Sequence, residues 1–438
     1  MSDRQMHFVG FVIAGPTWHH YGSWRHPESD ALDALDPARY EEIAKVLEKG
    51  KFDGLFFVDF LMLFDSFGGG YQTNLREAGQ MCMLEPTQLL AAMARVTSRI
   101  GLAATMSTSF YPPFHIARSF ATLDHISKGR AGWNVVTSAM QREADNYGID
   151  HLRPKNERYD HADEVLEACF KLWGSWDKDA FVHDRENNIY ADPSKVHYAD
   201  YQGQYVKTKG PLTTPRSPQD RPVIMQAGSS PRGREFAGRW AEIIFTLQNS
   251  KPHMQAFYED IKARVVASGR QPQDCAILPA VDVVIGDTES IARERAESIN
   301  SLASARLGVA EISNALGIDL SEAPMDLQLQ DLELSQGCQG ILDVMLQGTH
   351  AKGMSLEEAG RAWANNQMTP QIVGTPTQVA DHLQDLFESR CCDGFMLCPS
   401  LSPGTYAQFV KTVIPILQKR GVYRKDYKHS TFRENLRD

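Results

Sequence analysis

Short apolar segments alternate with segments of helical periodicity along the whole chain. Most of these segments are continuous, such as L-F-F-V and V-I-M-Q-A, and continuous runs are typical of parallel strands buried on both faces. We predict strands at 7–14, 54–59, 100–106, 130–137, 222–227, 242–246, 277–285 and 393–398. Nearly every one precedes a helix, and eight such repeats fit a closed barrel better than an open doubly wound sheet. The expected fold class is therefore α/β, a (β/α)8 TIM barrel.

Two stretches, 176–221 and 302–372, do not fit this repeat. The first is polar and rich in Asp, Tyr and Pro, and the second is weakly helical. Because long insertions in such barrels usually lie at the C-terminal face of the strands and cover the active site, we expect both insertions there. We therefore describe 1–438 as a single barrel domain with two insertions. For both stretches, a lid over the site and an oligomer contact remain alternative interpretations.

Charge and composition argue against several classes of function. A net charge of −10 makes nucleic acid or an anionic membrane a poor main partner. No apolar stretch is long enough to span a bilayer, and the N-terminus lacks the basic start and apolar run of a signal peptide. The seven cysteines are irregularly spaced, which indicates reduced thiols rather than disulfides or a zinc site. We expect a cytoplasmic protein.

The run V-I-M-Q-A-G-S-S-P-R-G-R predicts a buried strand, a turn of small residues and the start of a helix. Ser230 is a good N-cap, and Pro231 fits the first helical turn. The free N–H groups of that turn, the hydroxyls of Ser229 and Ser230, and the nearby Arg232 and Arg234 suit a phosphate. An ordinary capped helix is the alternative interpretation.

Reactive groups in a barrel lie where strands end and loops begin. The polar residues at the predicted strand ends are Asp59, Thr105, Ser107, Thr108, Asn134, Thr137, Ser138, Ser229 and Ser230. This mostly neutral set contains no H-E-x-x-H metal motif and no G-x-S-x-G nucleophile motif, so we predict no metal site. A barrel with hydroxyls, amides and a phosphate pocket indicates an organic cofactor that carries its own reactivity.

An aromatic segment, T-W-H-H-Y-G-S-W-R-H-P, follows the first predicted strand. His20 and His26 are candidate substrate contacts there, and solvated loop histidines are the alternative. Trp18, Trp24, Phe60, Phe64, Phe67 and Phe110 could line an aromatic, mostly apolar pocket, although any one of them could equally belong to the core.

Several motifs together resemble the flavin-dependent monooxygenases of the bacterial-luciferase superfamily. These motifs are W-R-H-P, E-K-G-K-F-D-G-L-F, Y-P-P-F-H-I-A-R, L-D-H-I-S-K-G-R-A-G-W-N-V-V-T-S, N-E-R-Y-D and V-I-M-Q-A-G-S-S-P-R-G. The likeness runs in order from about residue 5 to about residue 428. Within that superfamily the sequence resembles the group of nitrilotriacetate monooxygenase component A, dibenzothiophene-sulfone monooxygenase and long-chain alkane monooxygenase.

The resemblance implies non-covalent FMN at the C-terminal ends of the strands. It places Asp59, Thr105 and Asn134 against the isoalloxazine ring, with Thr137 and Ser138 in the same wall. The same likeness places the phosphate and the ribityl chain against Tyr159, Ala227, Gly228, Ser229 and Ser230. Lys155 stands where relatives often carry a histidine; its ammonium could still pair with phosphate, but a contact specific to the ring would be lost.

The resemblance also implies two-component chemistry. A separate NAD(P)H-dependent reductase would supply reduced FMN, and O2 would add at the flavin C4a carbon to give a hydroperoxide that oxygenates a small organic substrate. We expect an aromatic or heterocyclic, sulfone-like substrate, no nucleic acid or membrane partner, and a homodimer or homotetramer. The alternatives are a flavin- or deazaflavin-dependent dehydrogenase on the same barrel, a non-catalytic flavin-binding protein and, least favoured, a metal-dependent hydrolase.

Overall fold

The computed structural model describes residues 4–16, 19–332 and 353–438. Its barrel strands, labelled β1 to β8 in chain order, are His7–Ile13, Gly54–Val58, Gly101–Ser107, Ala131–Val136, Val223–Gln226, Ile243–Thr246, Ala276–Ile285 and Gly394–Leu397. They pair in parallel in that order, and β8 returns to β1, so the sheet closes on itself. The predicted (β/α)8 barrel is confirmed, and the predicted strand ends agree to within one residue.

Helices surround this barrel. In chain order α1 to α15 are Pro37–Lys49, Gln72–Glu77, Pro86–Val96, Pro113–Ser127, Gln141–Asn146, Lys155–Trp173, Pro231–Trp240, Lys251–Ala267, Glu289–Asn300, Ala305–Leu316, Leu356–Asn366, Pro376–Glu388, Gly404–Thr412, Ile414–Lys419 and Phe432–Leu436. Several of them begin at a side-chain cap followed by proline: Asp36 accepts from the Ala38 N–H at 2.9 Å before α1, and Glu85 accepts from the Gln88 N–H at 3.1 Å before α3. Such caps satisfy N–H groups that the helix leaves unpaired, so these boundaries are encoded locally. Within the described residues, no helix has the length and apolar content needed to cross a bilayer.

The strands are buried on both faces. Inward-pointing side chains such as Phe11, Phe56 and Met225 fill the barrel, whereas Phe8 and Val12 on the outer face of β1 pack in the layer under the helices. Two separate apolar layers therefore hold the same strands, as expected for a barrel whose interior is packed with side chains.

The C-terminal helix closes the N-terminal end of the barrel. Phe432 on α15 is fully buried among the inward-pointing side chains, and a Cβ at Gly101 would clash with its ring. The next residue, Arg433, donates through Nε to the buried carboxylate of Glu242 at 2.6 Å. A buried Arg–carboxylate pair beside a buried aromatic ring fixes α15 in this position.

The two insertions lie at different ends of the barrel. The described parts of the second insertion, 302–332 and 353–372, contain α10 and α11. The short strand Gln371–Gly374 at their end pairs with the C-terminal half of β7, so these parts lie above the C-terminal ends of the barrel strands. The expectation that segment 176–221 also lies at the C-terminal face of the strands is wrong. This segment connects the C-terminal end of α6 to the N-terminal end of β5, and the Gln219 amide donates to the Ala131 carbonyl at the start of β4 at 2.7 Å. Because it follows a helix rather than a strand, it begins and ends at the opposite face.

Segment 176–221 carries two short hairpins, formed by Phe181–Asp184 with Ile189–Ala191 and by Tyr201–Gln202 with Lys207–Thr208. The second hairpin lies along α6, where the Tyr201 hydroxyl donates to Glu167 at 2.8 Å. The description of the whole chain as a single domain stays a prediction.

The plug at the N-terminal end of the barrel yields a stability prediction. Phe432→Ala removes a buried ring that the surrounding glycines cannot fill, so we expect a loss of about 3–5 kcal/mol in the free energy of unfolding, measured by urea denaturation. Phe181→Ala is the matched control, because Phe181 is 37% exposed and should cost less than about 1 kcal/mol. Equal losses for the two variants would contradict the role of Phe432 as a plug.

Candidate functional site

A layer of neutral polar side chains crosses the mouth of the barrel. Thr105 on β3 donates through Oγ1 to the Phe57 carbonyl at 2.8 Å, and Asn134 on β4 donates through Nδ2 to Thr105 Oγ1 at 2.8 Å. The two residues are direct neighbours in the register of the parallel strands. Since both are buried, these two bonds fix the orientation of the Asn134 amide.

The next polar group in this layer is Gln226, at the end of β5. Its Oε1 is buried and has no hydrogen-bond partner in the part of the chain that the structure describes. Leaving such a group unpaired is costly, so it marks a position where a ligand donor would be favourable.

Ser107, Thr137 and Ser138 form a second polar wall beside this layer. Ser138 donates through Oγ to Ser107 Oγ at 3.0 Å, and the carbonyl of Thr137 accepts from the Ser109 hydroxyl at 2.7 Å. Ser138 has a φ of +47°, in the left-handed region that serine rarely adopts. The backbone after β4 is thus strained at a position that the sequence assigned to the cofactor.

Tyr159 on α6 places its hydroxyl in the turn between β5 and α7. The side chains of Thr137, Gln226 and Ser230 surround this hydroxyl, and burial raises its pKa, so it stays protonated. A Cβ at Gly228 would lie 2.6 Å from the hydroxyl oxygen, and one at Gly233 would lie 2.7 Å from it. Both glycines are therefore required for this close approach.

The start of α7 has the form that the sequence predicts. Ser230 caps the helix by accepting from the Gly233 N–H at 3.2 Å, and Pro231 occupies the first turn. The backbone N–H groups of Ser229, Ser230 and Arg232 have no hydrogen-bond partner among the described residues. Unpaired N–H groups at a helix start attract an anion.

The two arginines of this segment are already paired. Arg232 donates to Asp160 at 2.9 Å and also contacts Asp163, and Arg234 donates to Asp260 at 3.1 Å. Contrary to the sequence-based interpretation, carboxylates of neighbouring helices hold both guanidinium groups, so neither is free to serve as the cation of a phosphate site.

Arg158 is a cation that the sequence reasoning missed. Its side chain is half-buried; Nη1 donates to the Arg153 carbonyl at 2.7 Å, and the buried Nε has no partner within residues 4–16, 19–332 and 353–438. The residue precedes Tyr159 in the N-E-R-Y-D motif, which was the available signal. Lys155, at the first position of α6, is exposed and makes no hydrogen bond or ion pair with any described residue.

Asp59 follows β2 at the edge of the mouth. Burial, and then the neighbouring carboxylates of Glu85 and Glu143, raise the pKa of Asp59 to about 7. Glu143 accepts from the Leu61 N–H at 3.2 Å, so the carboxylate that opposes Asp59 is held in place. Asp59 therefore exchanges a proton near neutral pH, which is unusual for a carboxyl group.

A cavity of about 270 Å³ lies between the mouth and the insertion above it. The residues that line it are Tyr21, Phe60, Phe64, Gln80, Met140, Ala227, Ser229, Phe245, Thr246, Leu247, Glu311, Ala315, Trp363, Gln367 and Met368. They come from the segments after β1, β2, β4 and β5, from the end of β6 and the segment after it, from α10, and from α11 with the two residues that follow it. The cavity is mainly apolar, with few polar groups, which is typical of a small-molecule site.

Of the predicted aromatic pocket, Phe60 and Phe64 line the cavity. Phe67 packs in the core of the insertion, Phe110 stacks on Tyr147 with ring centroids 4.9 Å apart, and Trp24 donates to the Glu77 carbonyl at 2.9 Å. Trp18 lies outside the described residues. The structure thus brings part of that aromatic set to the cavity.

The predicted histidine contacts lie away from this cavity. His20 is buried, both of its ring nitrogens lack a partner among the described residues, and burial lowers its pKa to about 4. His26 is partly exposed and accepts from the Glu28 N–H at 3.2 Å. The ring of His19 stands 4.9 Å from Phe11 of the barrel interior, and its Nε2 lies 2.9 Å from Thr369 Oγ1. His19, which the sequence analysis did not single out as a substrate contact, therefore packs against the barrel interior.

A larger cleft of about 770 Å³ lies at the N-terminal end of the barrel, where Arg4, His7, Lys262 and Asp393 contribute to its walls. Active sites of this fold lie at the C-terminal ends of the strands. The candidate site is consequently the mouth with the smaller, covered cavity above it.

Comparison with known proteins gives a consistent family. The protein-family model described as luciferase-like monooxygenase matches residues 6–393 of this chain. The dibenzothiophene-sulfone monooxygenase of Rhodococcus erythropolis (strain XP) is 45% identical over 440 residues, 99% of this chain and 97% of that protein. The N-acetyl-S-(2-succino)cysteine monooxygenase of Bacillus subtilis (strain 168) is 39% identical, and nitrilotriacetate monooxygenase component A of Aminobacter aminovorans is 37% identical, each covering 99% of this chain and 97% of the relative.

Solved structures agree. A long-chain alkane monooxygenase superposes with a TM-score of 0.88 at 38% identity, covering 100% of this chain and 96% of that one. A riboflavin lyase, solved with modified FMN and riboflavin, superposes with a TM-score of 0.91 at 32% identity, covering 99% and 96%.

The environment of Asp59 predicts a pH effect on the flavin-free protein. Folding raises the pKa of Asp59 from 3.8 to about 7, so ionising this carboxyl destabilises the folded state as the pH rises through that range. As the pH rises from 5 to 8, we expect the free energy of unfolding of Asp59→Asn to increase by about 2 kcal/mol relative to that of the wild type, measured by urea denaturation. The exposed Asp326→Asn should show no such trend. A pH-independent difference for Asp59→Asn would contradict this assignment.

Proposed function

This chain belongs to the luciferase-like monooxygenase family and is a flavin-dependent monooxygenase, and on that premise we propose that it is the oxygenase component of a two-component system that uses reduced FMN. The family resemblance that the motifs indicated is confirmed by the family match. The proposed reaction takes O2 and a small aromatic or heterocyclic, sulfone-like molecule.

The mouth has the donor set that a flavin needs. Asp59, Thr105 and Asn134 would face the isoalloxazine ring, and Thr137 and Ser138 would form the adjoining wall. The unpaired Gln226 Oε1 adds an acceptor in the same layer. The mouth therefore offers neutral hydrogen-bonding groups to a large planar ligand, together with Asp59, an acid whose pKa lies near 7.

The turn after β5 would hold the phosphate and the ribityl chain. Ala227, Gly228, Ser229 and Ser230 supply a narrow backbone and unpaired N–H groups, and the Tyr159 hydroxyl lies within the same turn. Arg158 would supply the cation, because its Nε is unpaired and Arg232 and Arg234 are bound to carboxylates. The exposed Lys155 would act at longer range, as an unpaired ammonium group at the start of the same helix.

When bound in its reduced form, FMN supplies the two electrons that activate O2. The chain itself orients the ring through the Thr105–Asn134 pair, and the insertion that carries α10 and α11 covers the mouth against water. Asp59 can hold or release a proton at the edge of the mouth at neutral pH. This division of labour accounts for a site without a nucleophile motif.

The reduced flavin would come from a separate NAD(P)H-dependent reductase. Support comes from the relative named component A, a name that implies a second component. The sulfone-like substrate is supported by the sulfone monooxygenase that is 45% identical over nearly the whole chain, and by the aromatic side chains of the cavity.

The observation that carries the proposal is the set of unpaired backbone N–H groups at the start of α7, which follows the strand whose last residue, Gln226, presents an unpaired side-chain oxygen at the mouth. The test is anaerobic titration with reduced FMN, followed by O2 and a substrate panel that includes dibenzothiophene sulfone. We expect binding of reduced FMN, then oxygen uptake coupled to substrate oxygenation. Turnover of the substrate without O2 would favour a dehydrogenase, and flavin binding without any turnover would favour a non-catalytic protein.

Ser230→Ala tests the phosphate assignment. It removes one hydrogen bond to the phosphate, so we expect FMN to bind about 1 kcal/mol more weakly, roughly 5-fold, while riboflavin, which lacks the phosphate, is unaffected. Thr431→Ala is the control, because it removes the N-cap of α15 at the far end of the barrel. Unchanged FMN affinity in the Ser230 variant would count against the assignment.

Arg158→Gln should weaken FMN binding, relative to riboflavin binding, more than Ser230→Ala does. A hydrogen bond to a charged group is worth about 1.5–3 kcal/mol, so we expect FMN affinity to fall roughly 10- to 150-fold, again with riboflavin unchanged. Fluorescence titration of both flavins measures it. Equal losses for FMN and riboflavin would place Arg158 away from the phosphate.

A further inference from the structure

The roof of the cavity contains a polar cluster assembled from distant segments. Gln367 donates through Nε2 to the Tyr21 hydroxyl, and Tyr21 donates to Gln80 Oε1 at 3.1 Å. The Gln80 N–H in turn donates to Glu311 Oε1 at 3.1 Å. Trp363, Gln367 and Glu311 belong to the insertion above the mouth, so this cluster joins the insertion to the loops after β1 and β2.

Two groups of this cluster retain unused hydrogen-bonding capacity. The indole Nε1 of Trp363 is buried near the Tyr21 hydroxyl, and it makes no hydrogen bond of standard geometry with any described residue. Glu311 is 3% exposed, and in the described ranges its carboxyl group makes one hydrogen bond, through Oε1. Both side chains line the cavity. A buried donor without a partner is costly unless a ligand completes it.

Among the described residues, those that line the cavity include no lysine, arginine or histidine. Glu311 is the acidic residue among them, and burial raises its pKa to about 8. At neutral pH its carboxyl group is therefore predominantly protonated and can donate a hydrogen bond.

The other titratable groups near α10 do not alter this picture. Tyr21 is the described ionisable group that interacts electrostatically with Glu311, and burial raises the pKa of Tyr21 well above its ordinary value. On α10 itself, Arg306 lies over the Phe67 ring. Helices α2 and α11 pack against α10, and their charged residues are Arg76, Glu77, Glu357, Glu358 and Arg361. Of these five, Glu77 is partly buried and the rest are exposed.

We propose that Glu311 and Trp363 form a donor pair in the roof that binds an oxygen atom of an uncharged, largely apolar substrate, and that the cavity rejects polycarboxylates. The inference rests on the proposed function and specifies its substrate class. A sulfone or carbonyl oxygen can accept from both donors while aromatic rings fill the space beside Phe60, Phe64 and Phe245. A polycarboxylate would have to lose its hydration in a mainly apolar cavity whose described lining residues offer no cation, which is strongly unfavourable.

The test compares ligand pairs on the protein loaded with oxidised FMN, by calorimetry at pH 6.5. Dibenzothiophene sulfone has the acceptor oxygens, dibenzothiophene lacks them, and nitrilotriacetate is the polycarboxylate probe. We expect the sulfone to bind the wild type at least about 10-fold more tightly than dibenzothiophene, since two hydrogen bonds separate them, and nitrilotriacetate to show no measurable binding.

Variants then assign the donors. Trp363→Phe and Glu311→Leu should each weaken sulfone binding by about 5- to 10-fold and change dibenzothiophene binding little. Glu311→Gln keeps a neutral donor and should bind the sulfone within about 3-fold of the wild type. Trp176→Phe, whose Nε1 donates to the Leu212 carbonyl in segment 176–221, and the exposed Glu357→Gln are matched controls.

The pH dependence of sulfone affinity tests the donor role of Glu311 separately from its packing. Sulfone affinity of the wild type should fall as the pH rises above about 8, because Glu311 then ionises and no longer donates, while Glu311→Gln should stay constant. Equal weakening of sulfone and dibenzothiophene, tight nitrilotriacetate binding, or no sulfone binding to the wild type overturns the donor pair. With FMN binding intact, these outcomes leave the assignment as an FMN-dependent oxygenase component standing, and absence of sulfone binding removes only its sulfone-like substrate. Failure to bind FMN defeats the proposed function itself.

Discussion

Closure of the parallel sheet is the constraint on which the rest of the structure depends. Because β8 pairs with β1 and β6 with β7, the carboxyl ends of all these strands meet at one mouth. Residues far apart in sequence, such as Asp59, Asn134 and Gln226, are brought to the same rim by this arrangement alone. The opposite end is closed by Phe432 and by the buried Arg433–Glu242 pair, so packing and binding are divided between the two ends.

The distribution of charge in the site follows from burial. Guanidinium groups near the mouth are paired with carboxylates where such partners exist, as for Arg232 and Arg234, and the site interior retains hydroxyls and amides. The acids that remain there, Asp59, Glu143 and Glu311, all have raised pKa values, because burial disfavours their ionised forms. A neutral, sheltered chamber over a polar mouth suits a cofactor that brings its own reactivity and a substrate without charge.

Segment 302–372 shows why a long insertion is needed here. Its helices α10 and α11 share an apolar core in which Val309, Ile312 and Leu356 are buried, so the described part of the roof is packed helical structure. From that core it presents Glu311, Trp363 and Gln367 to the cavity. Sheltering the mouth and contacting a ligand are thus combined in one insertion.

The sequence by itself determined the strands, the helix caps and the polar strand ends. Continuous apolar runs, Ser230 with Pro231, and the hydroxyl and amide residues after each run are local signals, since burial on both faces and capping act on neighbouring residues. Only the tertiary structure decided which arginine near the mouth is not paired with a carboxylate, and at which end of the barrel segment 176–221 begins and ends. It also decided that Tyr21, Gln80, Glu311 and Gln367 meet in one cluster. Those outcomes depend on partners tens to hundreds of residues away, because electrostatic pairing and desolvation are set by what surrounds a side chain in space and leave no periodic trace along the chain.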